Sequence, residues 1–120
     1  MIDKIKLGKL GEKIAAKYLE NNGYSLLTKN YHTPEGEIDI ICQKEKVIFF
    51  VEVKIRKNLD FGWPEEAIDD RKMEKIALAC QRYLQENKIR TDWQIDAICL
   101  IFDQDKRKIR LKHLKRLDID

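Results

Sequence analysis

The hydrophobic positions along the chain change period several times, and each change marks an element. From about Leu7 to Asn21, Leu7, Leu10, Ile14 and Tyr18 recur at helical spacing, with Gly11 and Ala15 alongside. Asn22-Gly23 then supplies a left-handed stop. Tyr24 to Asn30 is a short strand candidate. Thr33-Pro34-Glu35-Gly36 is a turn, because proline presets its φ and glycine relaxes the exit. Two β-rich runs follow, Glu37 to Cys42 and Val47 to Lys54. Only Gln43-Lys44-Glu45-Lys46 lies between them, which predicts an antiparallel hairpin. Ile55 to Trp63 is irregular, basic and aromatic. Pro64-Glu65-Glu66 reads as a helix start, with Asp70 as an alternative N-cap. Met73, Ile76, Ala77, Cys80 and Leu84 then form one apolar stripe down to about Glu86. Trp93 to Phe102 is apolar on both faces, the mark of a central buried strand, and Lys106 to Leu114 alternates like an edge strand. The order αβββαβ plus a final strand predicts a mixed α/β domain.

Length and composition narrow the class. A chain of 120 residues predicts one domain, residues 1–120, large enough to bury a core. Hydrophobic residues at 43% argue against disorder. Charged residues at 38%, and no apolar run near the roughly 18 residues of a spanning helix, argue against a membrane protein. The N-terminus alternates charged with apolar residues and shows no signal-peptide core, so the expected location is the cytoplasm. Cys42, Cys80 and Cys99 each sit among apolar neighbours and read as small buried hydrophobes without chemistry. The net charge of +3 is mild, but seven Lys/Arg and one His fall between Lys106 and Arg116 with no acid. That segment fits a polyanion partner, or equally a lysine-protected edge strand.

The hairpin carries the chemistry. Paired about a turn at Lys44-Glu45, Asp39 falls opposite Phe50 and Glu37 opposite Glu52. Strand alternation then points Glu37, Asp39, Glu52 and Lys54 to one side, and Ile38, Ile40, Val51 and Val53 to the other. Clustered carboxylates repel and raise one another's pKa. One Lys54 cannot neutralise three acids, whereas a hard divalent ion, Mg²⁺ or Mn²⁺, could. Such an ion suits phosphodiester hydrolysis, with Lys54 orienting water or steadying developing charge. The alternative is an exposed face with ordinary surface ion pairs. Glu12 reads as an ordinary helix glutamate, and Asp96 as a structural hydrogen-bonding group at the entry of a buried strand. Arg56 and Lys57 follow Lys54 directly, and Arg71, Lys75 and Arg82 share a helix stripe beside Lys72. Phosphate contact and a solvated helix face both fit these cations. Trp63, Tyr31 and Phe61 stand in or near loops, where base stacking and loop packing are the alternatives.

The pair GEIDII and FFVEVK resembles the bipartite motif of the PD-(D/E)xK nuclease superfamily. Together with GKLGEKIAAKYLENNGYSLLTKNY, FGWPEEAID and KMEKIALACQRYL, it resembles the YraN-like family of small bacterial proteins, over roughly residues 8 to 100. The resemblance implies a restriction-endonuclease-like core of the Holliday-junction-resolvase type. It implies a Mg²⁺-dependent endonuclease acting on DNA, branched or irregular DNA included, without an organic cofactor and with dimerisation expected on a symmetric junction. A non-catalytic nucleic-acid-binding or adaptor module with the same fold is the alternative. The resemblance makes Asp39, Glu52 and the Val53 carbonyl metal ligands and Lys54 the catalytic lysine. It adds Glu12 beside the metal and Glu37 as a ligand through water. Ile38 stands where the superfamily motif has proline, and QIDAI stands where family members more often have Arg-Phe-Asp.

Overall fold

A computed structural model describes residues 2–60, 62–103 and 105–118. Its elements are α1 (Lys4–Asn21), β1 (Ser25–His32), β2 (Glu37–Lys44), β3 (Val47–Arg56), a 3-10 turn (Pro64–Ala67), α2 (Asp70–Glu86), β4 (Trp93–Asp103) and β5 (Lys108–Leu114). The five strands form one sheet in the order β1-β2-β3-β4-β5. All neighbours are antiparallel except β3 and β4, which run parallel because α2 carries the chain back between them. One helix covers each face, the mixed α/β arrangement of a restriction-endonuclease-like core. No helix among the described residues is long and apolar enough to cross a membrane.

The first face is built by α1. Asp3 caps it by accepting from the Lys6 amide at 2.8 Å. Gly23 ends it in the left-handed region at φ 88°, and the Tyr24 amide reaches back to the Leu19 carbonyl. Of the expected stripe only Leu7 is buried, together with Gly11, Ala15, Ala16 and Leu19, while Leu10, Ile14 and Tyr18 are half-buried. Small residues explain the rotation. At Gly11 a Cβ would lie 3.0 Å from Ile55 Cγ2, so the helix lies close on β3 only because glycine is there. Ile40, Cys42, Val51, Ile98 and Leu100 complete this core.

The second face is covered by α2, which packs Met73, Ile76, Ala79 and Cys80 on Ile41, Ile48, Phe50 and Ile95. Phe50 stands edge-on to both Tyr83 and Trp93, with centroids 5.8 and 5.7 Å away. The N-cap is Asp69, one residue before the expected Asp70, and it accepts from the Lys72 amide at 2.9 Å. The Pro64 helix start exists only as the 3-10 turn. All three cysteines are buried and unpaired.

The hairpin forms, but its register differs by two residues from the expected one. Its turn is Glu45-Lys46, both in the left-handed region at φ 49° and 67°, and Ile40 pairs with Val51 and Ile41 with Phe50. Asp39 therefore runs toward Glu52, not Phe50. A second correction concerns Ile38, which packs with α2 and not on the α1 face. The β2–β3 ladder ends at Ile40–Val51, and strict alternation ends with it.

Candidate active site

The carboxylates gather where this ladder stops. Beyond Ile40 no β2 main chain meets β3, and the Val53 amide donates instead to Asp39 Oδ2 at 2.8 Å. The Thr33–Gly36 turn fixes the start of β2: the Thr33 hydroxyl accepts from the amides of Glu35 and Gly36. Gly36 lies so close to α2 that a Cβ would meet the Lys75 carbonyl oxygen at 3.0 Å. Glycine thus lets the first turns of α2 lean over Asp39 and Glu52.

Glu52 is 6% exposed, an unusual setting for a carboxylate. Its counter-ion is Lys72, whose Nζ lies 2.9 Å from Oε1. Burial and the charge of Asp39 push the Glu52 carboxyl up to about 7, against the pull of Lys72 and Lys54. Burial, with the Glu37 charge, also raises Asp39, although the Val53 amide and the charges of Lys72 and Lys54 oppose it. Burial lowers Lys54, and the charges of Lys72 and Arg56 lower it further. Burial pulls Lys72 down too, but its hydrogen bond to Glu52 and the surrounding carboxylate charges outweigh that and raise it. These groups share one field, with two acids resisting ionisation beside one lysine that resists protonation.

The other predicted residues divide between two adjoining depressions. Glu37, Asp39, Glu52, Arg71, Lys72 and Lys75 line a cleft of about 440 Å³ under α2. Glu12, Lys54, Arg56 and Lys57 line a second, of about 410 Å³, against α1. Glu12 is raised by burial and by the Asp39 charge, so the two depressions communicate electrostatically. Glu37 is turned outward and pairs with His32 Nδ1 at 3.0 Å. Among the described residues no group of three or more His, Cys, Asp or Glu side chains can close around an ion. Asp39 and Glu52 therefore stand as a carboxylate pair. That donor set suits a hard divalent ion that keeps water and substrate oxygens in its remaining positions, and no softer metal.

Sequence spacing missed one essential partner. Lys72, expected on phosphate, lies against Glu52 because α2 crosses the face on which Glu52 points. Its only signal in the chain was its place next to the helix stripe of Arg71, Lys75 and Arg82. Arg82, on that stripe, forks onto Glu35. Tyr31 donates to Glu86 at 2.7 Å, and Phe61 lies outside the described residues. Asp96 is the structural group expected. Fully buried, it accepts from His113 Nε2, the Arg116 amide and Gln94 Nε2. The second histidine nitrogen hydrogen-bonds the Tyr18 hydroxyl at 2.9 Å, tying β5 to α1.

Comparison with known proteins gives a consistent family. The sequence model described as "Uncharacterised protein family UPF0102" matches residues 11–100. A UPF0102 protein of Chloroherpeton thalassium is 36% identical over 108 residues, covering 89% of this chain and 84% of that protein. One from Syntrophomonas wolfei is 39% identical over 105 residues, covering 87% and 91%. Another, from Dictyoglomus thermophilum, is 43% identical over 83 residues, covering 69% and 70%.

Proposed function

This chain belongs to Uncharacterised protein family UPF0102, and from its site we propose a metal-dependent endonuclease that hydrolyses DNA phosphodiester bonds, of the PD-(D/E)xK type. One observation carries the reading. Two carboxylates, the half-buried Asp39 and the buried Glu52, are held above their usual range at a break in the sheet, within the field of a lysine held below its own. A protein that needs only a stable hairpin gains nothing from this repulsion. A site that recruits a divalent cation does, because the cation relieves it.

Asp39 and Glu52 would hold Mg²⁺ or Mn²⁺, with Glu12, Glu37 and the Val53 carbonyl around them. The ion would supply Lewis-acid polarisation of the phosphate and acidification of water. The chain's own residues do the rest. Lys54, with its ammonium destabilised, orients the attacking water and steadies the charge that develops on the phosphate. Lys72 pairs with Glu52 and holds its carboxylate in place. Arg56, Lys57, Arg71 and Lys75 border the two depressions and take backbone phosphates. One observation favours a non-catalytic nucleic-acid-binding module: the Lys72–Glu52 pair satisfies Glu52 without metal.

The test is cleavage of labelled duplex, single strand, flap and four-way junction with Mg²⁺ or Mn²⁺, using the native chain, Glu52→Gln and Lys54→Ala. The expected result is metal-dependent cutting by the native chain, reduced at least about a hundredfold in each variant. Cutting that persists in both variants would overturn the site. DNA binding without cutting by the native chain would select the non-catalytic module.

A further inference from the structure

The sheet face that carries Glu52 continues past α2. Strand register extends it in rows: Lys54, Cys99 and Lys112 lie side by side, then Arg56, Ile101 and Arg110, then Asp103 and Lys108. Two strand spacings separate the cations at the ends of a row, about 10 Å. α2 packs only on the first half of this face, at Ile48, Phe50 and Ile95. The second half lies under the 3-10 turn, which leaves a slot of about 410 Å³. Cys99 and Ile101 line the slot from the sheet, Trp63, Pro64, Glu65 and Glu66 from the turn, and Arg110 and Lys112 from β5; Lys112 Nζ is paired with Glu65 Oε2 at 3.1 Å, which leaves Arg110 as the cation for a ligand. Ala67, at the other end of the same turn, lines the carboxylate cleft, so slot and cleft share one wall.

Two features at this slot face water. Trp63 leaves 48% of its surface in water, a costly position for an indole. Lys108 and Arg110 are exposed along β5, and Arg110 also lines an adjoining groove of about 840 Å³. An aromatic plane beside an apolar slot, flanked by guanidinium and ammonium groups, matches an unpaired base and its neighbouring phosphates. A base locked in a duplex could not enter it.

We propose that the Trp63 slot receives an unpaired base, with Arg110 and Lys108 on the flanking phosphates, and that the substrate carries a single-stranded segment beside the cleavage point. The inference rests on the nuclease reading for its position and deepens it by naming the substrate class.

The test is binding in EDTA of a labelled single-stranded oligonucleotide and a blunt duplex of equal length. The proteins are the native chain, Trp63→Ala, Trp63→Phe and Arg110→Ala, with tryptophan emission followed in parallel. The single strand should bind more tightly than the duplex and quench native emission. Trp63→Ala should weaken it about tenfold, while Trp63→Phe keeps most of the affinity. Arg110→Ala should reduce the salt slope by about 0.7. Unchanged affinity in Trp63→Ala, unquenched native emission or equal binding of the duplex would each overturn the proposal. The assay needs no hydrolysis. A protein that cuts nothing but loses the strand on Trp63→Ala would remove the nuclease and keep the slot. One that cuts, with binding indifferent to Trp63, would do the reverse.

Discussion

Replacing Glu52 with glutamine should stabilise the metal-free protein at neutral pH and above. The side chain is buried and its carboxyl titrates at about 7 in the fold, against 4.5 as the ordinary value. The folded state thus binds the proton more tightly than the unfolded chain. Stability is full below pH 4.5 and is lost as the pH rises through 7. At about 1.4 kcal/mol per unit, the loss is about 3 kcal/mol. Lys72 is already counted in that figure, since its attraction is part of what holds the carboxyl at 7 and no higher. Glutamine keeps the size and removes the charge. Melting followed by circular dichroism in EDTA should show Glu52→Gln above the native chain by on the order of 10 °C at pH 8. The two curves should converge near pH 4.5. Added Mg²⁺ should raise only the native protein. A variant that melts at or below the native chain at pH 8, or that keeps the native pH dependence, would refute the argument that Glu52 is held at a cost.

Two further substitutions probe the frame around the site. His113→Ala should destabilise by about 3 kcal/mol in denaturant titration, because it leaves Oδ2 of the fully buried Asp96 without its imidazole partner, whereas Tyr18→Phe, which removes only the outer hydrogen bond, should cost about 1 kcal/mol. Asp69→Ala should cost about 1 kcal/mol through the lost α2 cap and should lower cleavage more than that loss explains, since the same turn presents Lys72 to Glu52; a stability loss with unchanged cleavage would exclude the positioning role.

Much of this fold could be read from periodicity, and the failures have physical causes. The apolar run at β4 and the alternation at β5 were legible because burial on two faces and exposure on one leave different patterns. The hairpin was legible as two runs, but its register was not. Neither Glu45 nor Lys46 announces a left-handed turn as Asn-Gly would, so the centre of the turn was misplaced by one residue and the pairing by two. An even error leaves side chains on their faces, so Asp39, Glu52 and Lys54 survived it as a group. Ile38 did not follow its face, because alternation stops where β2 leaves the ladder. Lys72 was seen as one cation among several. Nothing local to α2 says that its first turn lies over Glu52, since that follows from the close approach at Gly36.

The ladder's end has a consequence for how the molecule can be observed. Where a neighbouring strand would offer a main-chain carbonyl, the Val53 amide leans on the carboxylate of Asp39. A main-chain rung between two strands carries no such charge. This one strengthens when Asp39 ionises and slackens when it takes up a proton, so a change at the site is written into the backbone of β3. The Val53 amide resonance and its rate of exchange with solvent thus form a built-in gauge of Asp39, readable in the unaltered protein without substrate or label.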